Sequence, residues 1–236
     1  MRITHWYLAL LSFCFVSTAY ASALTTFDNS YSAKLYGFNV SVTSRLSTQD
    51  NSNYEFYFDV NAMIGNVTEV SKFKWNEQGH YIIPTTYTYK RTGLGKNRDQ
   101  QINFDWTKNE VINAQDGNIL ALDATKKIQD SLSYQIQLRQ DLIAGKKDLH
   151  YFITDGKKTK EYKFETLGEE VLDTPLGQVS AVKIKRSEAN EDRAIYAWFA
   201  KDFQYLLVRL QKEENGSAYT IYISKASVNG KAIEHF

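Results

Sequence analysis

The side chains best suited to catalysis are scattered along this chain rather than grouped. Histidines occur at His5, His80, His150 and His235, with no HxH or HExxH spacing to aim two imidazoles at one metal ion. Serines are plentiful, but none sits in a GxSxG elbow, the strand-to-helix turn that exposes a serine nucleophile. Ser131 and Ser133 stand instead at the start of an apolar segment of helical period, where capping accounts for them. Thr92-Gly93-Leu94-Gly95-Lys96 has the composition of a phosphate loop without its spacing, and no apolar helix follows to point its amides at an anion, so it reads as a hairpin loop. Glu169-Glu170 and Glu191-Asp192 are adjacent carboxylates. Adjacent residues of a strand point to opposite faces, so neither pair can do acid/base work at one site. The sequence carries no catalytic signature, and it implies no metal and no cofactor.

Binding chemistry is better represented. Tyr87, Tyr89, Phe104, Trp106, Trp198, Phe199 and Phe203 exceed what a thin sheet needs. They serve either a packed core or a concave apolar pocket with a few polar groups. Arg186, Arg193 and Arg209 fall in or beside strand patterns, and any that faces inward requires a carboxylate or an anionic ligand; Asp130 and Glu170 are the internal partners on offer. From these sets Tyr87, Trp106, Trp198 and Arg209 are the candidate ligand-binding residues.

Such residues must be positioned by strands. Tyr54, Phe56, Phe58 and Val60 alternate with Glu55, Tyr57, Asp59 and Asn61, which is the period-2 pattern of a half-buried strand. Leu206, Val208 and Leu210 form another, and Asn215-Gly216 supplies the positive φ of a tight hairpin before Tyr219, Ile221 and Ile223 resume. Gln78-Gly79, Asp116-Gly117, Asp155-Gly156 and Pro175-Leu176-Gly177 mark further turns. One stretch departs from this rhythm. Ile128, Leu132, Ile136 and Ile143, with Leu142 alongside, recur at helical spacing, Asp130 or Ser131 can cap the start, and Gly145 can end it. The expected fold is therefore mainly β, a long antiparallel meander of a dozen or so strands curled into a partly open barrel, with one helix over about 131–144.

Composition agrees with a buried core. The 236 residues are 43% hydrophobic and 14% aromatic with only 2 prolines, which excludes disordered and collagen-like chains. Lys+Arg 28 against Asp+Glu 27 excludes a binder of polyanions such as nucleic acid. The first 23 residues read as a leader: Arg2, an apolar run from Trp6 to Val16, then small residues at Ala19, Ala21 and Ala23, which place signal-peptidase cleavage after Ala21 or Ala23. The run is too short for a spanning helix, and no later segment approaches one. Cleavage removes one basic residue and no acidic one, leaving a neutral chain, and removes Cys14, the only cysteine. Cys14 is preceded by Leu11-Ser12-Phe13, where a lipoprotein signal wants a small residue. Residues 24–236 then form a single β-rich domain, of a length that buries roughly 70% of its unfolded surface.

Several short motifs recur in a fixed order: Pro84, Tyr87, Arg91, Gly93 and Phe104-Asp105-Trp106; then Asp130-Ser131-Leu132-Ser133-Tyr134 with Leu138, Asp141-Leu142 and Gly145; then Gly168-Glu169-Glu170, Thr174-Pro175-Leu176-Gly177, Arg193, Trp198 and Val208-Arg209. As a set they resemble the bacterial domain-of-unknown-function family numbered 3108. Leu207 departs from that pattern, where a proline is expected before Val-Arg. The resemblance implies an exported envelope protein of Gram-negative bacteria, rich in antiparallel strands, with no catalytic residues to carry over.

Three functions follow as expectations. The first is a non-enzymatic periplasmic binding or carrier protein for an apolar ligand or a lipoprotein or peptide segment, driven by apolar burial. The second is an envelope scaffold that recruits a protein partner through a strand edge. The third, a hydrolase, needs a nucleophile, base and orienting group to converge in space. The partners implied are a lipid, a lipoprotein or an envelope protein.

Overall fold

The computed structural model describes residues 23–35, 38–50, 52–93, 95–187 and 193–236. The expected leader up to Ser22, together with Leu94 and the Glu191-Asp192 pair, lies outside the described residues.

The chain forms two meandering arms of one sheet. The first arm runs through β1 (Phe27–Leu35), β2 (Phe38–Thr48), β3 (Asn53–Ala62), β4 (Gly65–Asn76), β5 (Tyr81–Gly93), β6 (Arg98–Asp105), β7 (Glu110–Asn113) and β8 (Ile119–Ala121), each paired antiparallel to the one before. After β9 (Ile128–Gln129) and the helix α1 (Ser133–Ile143), the second arm runs through β10 (Leu149–Thr154), β11 (Thr159–Thr174), β12 (Gly177–Ser187), β13 (Arg193–Ala200), β14 (Leu206–Glu214) and β15 (Ser217–Val228), with β16 (Lys231–Ile233) folded back on β15. The expected antiparallel meander, curled and not closed by its own ladder, is what forms, with sixteen strands among the described residues. Two pairings lie outside a simple meander. β1 pairs with β15, joining the arms, and β9 lies parallel to β10 with α1 as the crossover between them.

Local chemistry explains the elements. In β3, Tyr54 and Phe56 are buried while Glu55 and Tyr57 are less so, as alternation requires. Asn215 and Gly216 have φ of 50° and 75°, the positive values that a two-residue hairpin between β14 and β15 needs. The four other turn signals all fall between paired strands. At the union of the arms, Thr26 N–H donates to Asn229 Oδ1 at 3.1 Å and Asn229 N–H donates to the Thr26 carbonyl at 3.0 Å, although 203 residues separate them.

The helix lies inside the curl. It starts where Asp130 Oδ1 accepts the N–H groups of Leu132 and Ser133 at 2.8 and 2.7 Å, and it ends at Gly145, which has φ of 69°. Leu132 and Ile136 join one hydrophobic core with Phe27, Phe56, Phe73 and Ile82. Leu138 and Leu142, from another face of the helix, join a second core with Leu149, Ile153, Ile184 and Phe199. A helix wedged between two cores has no free polar face, so Ser133, Gln137, Arg139 and Asp141 are buried too. No helix of the described residues is long and apolar enough to cross a membrane.

Side chains complete what the ladder leaves open. Pro84 sits at a bulge where the β4–β5 register shifts, and β6 pairs with β5 only from Thr86 onward. The outer edge of β5 before that point would be orphaned. Instead Gln137 Oε1 accepts the Ile82 N–H at 2.8 Å, Gln129 Nε2 donates to the Ile82 carbonyl at 2.9 Å, and Trp106 Nε1 donates to the Pro84 carbonyl at 2.6 Å. Further along, Gln100 Nε2 bonds the Asp155 carbonyl at the β10–β11 turn. β5 and β6 thus meet the β9–β10 end of the sheet through glutamine side chains.

Candidate functional site

The wedge leaves a space. Between α1 and the sheet lies a partly open cavity of about 170 Å³, walled by strands of both arms. Phe27 and Tyr31 of β1, Phe56 of β3, Ala197 and Phe199 of β13 and Leu210 of β14 line it opposite Ile136 and Leu138 of the helix. The inward alternation of each strand puts these side chains on one face, so the wall is mostly apolar. Engineered apolar cavities of roughly 150 Å³ stay dry and bind benzene-sized molecules.

Several polar side chains break that wall: Asn29, Ser44, Gln135, Arg139 and Arg186. Arg139 is 3% exposed, yet no carboxylate pairs with it among the described residues. Its Nε donates to the Gln204 carbonyl at 2.8 Å, its Nη1 to the Thr25 carbonyl at 3.1 Å, and its guanidinium lies 5.0 Å from the Phe27 ring centre. Nη2 has no hydrogen-bond partner. Burial brings the guanidinium pKa down to about 10, against the pull of neighbouring Tyr31, so the group stays charged at neutral pH. Asn29 is 1% exposed and stands beside the Tyr31 hydroxyl, but neither end of its amide has a partner in full hydrogen-bond geometry among the described residues. The Gln204 carbonyl is delivered by a strained turn, since Gln204 and Tyr205 have φ of 57° and 53° and neither is glycine.

Tyrosines stand beside these groups. Tyr31 donates its hydroxyl to the Leu207 carbonyl at 3.0 Å; burial raises its pKa, with Asn29 and Arg139 opposing. Tyr134 is pushed up to about 12 by burial, and the charge of Arg186, which also lines the pocket, works the other way. Among the described residues, no ion pair to Asp130 or Glu170 is seen. Asp130 spends its carboxylate on the start of α1 and on the Ser71 hydroxyl at 2.6 Å, and Glu170 accepts from Trp198 Nε1. Arg193 pairs with Glu214 at 2.8 Å near the surface.

The four residues selected from the sequence are not gathered in one place. Tyr87 is buried and donates to Glu69 Oε2 at 2.5 Å. Trp106 bonds Pro84, stacks on Phe104 at 5.6 Å, and lines a separate groove with Tyr81, Ile83 and the 124–128 segment. Trp198 and Arg209 are cross-strand partners, the guanidinium 4.2 Å from the indole. They stand on the face of β13 opposite Ala197 and Phe199, and line neither cavity. Of the aromatic set, Phe199 is the one that reaches the pocket beside α1.

Arg139 and Asn29 went unselected, although each left a trace. Leu132, Ile136, residue 139 and Ile143 share one helical spacing, and the arginine interrupts that apolar stripe. Asn29 falls between Phe27 and Tyr31 on the inward face of β1. A charged or amide group at a core position of an otherwise regular pattern is the signal.

Comparison with known proteins bears on fold and family. The family model described as "Protein of unknown function (DUF3108)" matches residues 26–224. The crystal structure of a beta-barrel-like protein of domain of unknown function DUF1849 from Brucella abortus aligns with a TM-score of 0.58 at 10% identity, covering 89% of this chain and 100% of that one. At that identity the likeness is one of fold. A "putative lipoprotein" from Parabacteroides distasonis aligns over 88% of this chain and 96% of that one, at 12% identity and a TM-score of 0.31. No curated protein matches the chain.

Proposed function

The chain belongs to the DUF3108 family, whose function is unknown, and from that premise we propose that it is an exported, non-enzymatic binding protein that carries an apolar ligand in the pocket between α1 and the sheet. The observation that carries this reading is the cavity itself, of about 170 Å³ and lined by aromatic and aliphatic side chains. Transfer of apolar ligand surface out of water drives binding at about 25 cal/mol per Å². The leader ending at Ala21 or Ala23 supports delivery to the periplasm. Tyr31 and Tyr134 are raised by burial and Arg139 titrates near 10, so these pocket groups hold one protonation state at neutral pH and none is poised to move a proton. That favours carriage over catalysis.

A scaffold reading has one observation in its favour. Among the described residues β8 ends the sheet with only β7 beside it, and Ile119 on that edge is 61% exposed. Native mass spectrometry of the protein purified from its own compartment separates the two. A reproducible adduct released by organic solvent supports the carrier, and a bare mass after cleavage at Ala21 or Ala23 overturns it in favour of the scaffold.

A further inference from the structure

An arginine buried without a carboxylate is costly to keep, because its charge has left water and found no opposite charge in exchange. Arg139 is in that position, on the wall of an apolar pocket, with two backbone carbonyls holding its Nε and Nη1 and with Nη2 left without a partner among the described residues. Asn29, on the same wall beside the Tyr31 hydroxyl, adds an amide whose donor and acceptor have no partner in full hydrogen-bond geometry. Uncommitted buried donors beside an apolar cavity describe a receptor for a molecule with an anionic end and an apolar body.

We propose that the pocket takes a single-chain amphiphile with a carboxylate headgroup, the carboxylate accepting from Arg139 Nη2 and Asn29 Nδ2 while the chain lies among Phe27, Phe56, Phe199 and Leu210. This rests on the carrier reading and names its ligand class. The buried charge of Arg139 is matched by one negative charge, and a carboxylate supplies it with two acceptor oxygens. A phosphate monoester brings about −1.5 to −2, more than the single charge of Arg139. A hydroxyl next to the carboxylate would use the free Asn29 Oδ1 as well. The fixed guanidinium cannot turn to follow a misplaced headgroup, so the site selects for geometry as well as charge.

The test is titration of the purified, delipidated protein with dodecanoate, dodecanol, dodecyl phosphate and dodecylamine, each below its micellar concentration. Dodecanoate is expected to bind about tenfold or more tighter than dodecanol, and dodecylamine weakest. Arg139→Met should erase the preference for dodecanoate over dodecanol while dodecanol binding persists. Asn29→Leu, which keeps the charge, should reduce the preference in part, and it decides the matter if Arg139→Met does not fold. Equal binding of dodecanoate and dodecanol by the native protein overturns the headgroup inference and leaves the pocket reading standing. Tighter binding of dodecyl phosphate overturns the carboxylate assignment. Binding of none of the four overturns the carrier reading itself.

Discussion

Gln137 of the internal helix and Ile82 of β5 are joined by a hydrogen bond of 2.8 Å from the strand's N–H to the glutamine Oε1, in the place where a neighbouring strand would otherwise bond. The same amide donates to the His80 carbonyl at 3.1 Å and to Asp141 Oδ1 at 3.0 Å. A single side chain therefore anchors α1 to the sheet and finishes the edge of β5. Replacing it by the similarly shaped Gln137→Met leaves the buried Ile82 N–H unpaired, at about 1–3 kcal/mol. Urea denaturation should show this loss, and amide exchange at Ile82 should quicken.

Filling the pocket should abolish ligand retention. Ala197 sits on its wall, so Ala197→Phe projects a ring into the cavity, with an overpacking cost of about 1–3 kcal/mol. The variant should run as a bare mass in native mass spectrometry while keeping its circular dichroism spectrum. An adduct that survives would place the ligand elsewhere.

Trp198 should matter for stability alone. It is 2% exposed, with Arg209 and Lys183 over its ring at 4.2 and 4.9 Å, and it faces away from the pocket. Trp198→Ala should cost about 3–5 kcal/mol in denaturation, while the folded fraction retains ligand as before.

A buried acidic cluster makes stability depend on pH. Burial raises the pKa of Glu69, with the Tyr87 hydrogen bond opposing and the charge of Asp130 adding to the rise; Asp130 is raised by its own burial. A carboxyl whose pKa is higher folded than unfolded binds more protons in the folded state between the two values. Its contribution is complete at acid pH and is lost as pH climbs through the raised value. Glu69→Gln keeps an acceptor for Tyr87 but cannot ionise. It should therefore be more stable than the native protein at pH 8, with the gap closing towards pH 4, as read from denaturant midpoints.

The fold was legible where local rules govern. Asn215-Gly216, the alternation through Tyr54 and Phe56, and the capped helix each carry their signal within a few residues. The site was less so, because its parts come from distant strands and a helix whose depth in the curl no local pattern encodes. Trp106 and Tyr87 looked like ligand contacts from type alone, yet Trp106 completes the edge at Pro84 and Tyr87 bonds Glu69. Arg139 is hidden because no local pattern says that α1 has cores on two sides. The β1–β15 pairing had no sequence signal at all, since register between strands so far apart is set by the whole sheet.

That pairing also governs when the molecule can form. Each arm is built of successive hairpins that find their partners within a few residues, and such pieces assemble quickly. The clasp of Thr26 with Asn229 is the opposite case, because nearly the entire chain must be looped before its contacts reward the entropy spent. β1 has no second neighbour until β15 has been synthesised, and Arg139 has no Thr25 carbonyl to hold until β1 is seated. The nascent polypeptide therefore stays unfinished until its last strands emerge.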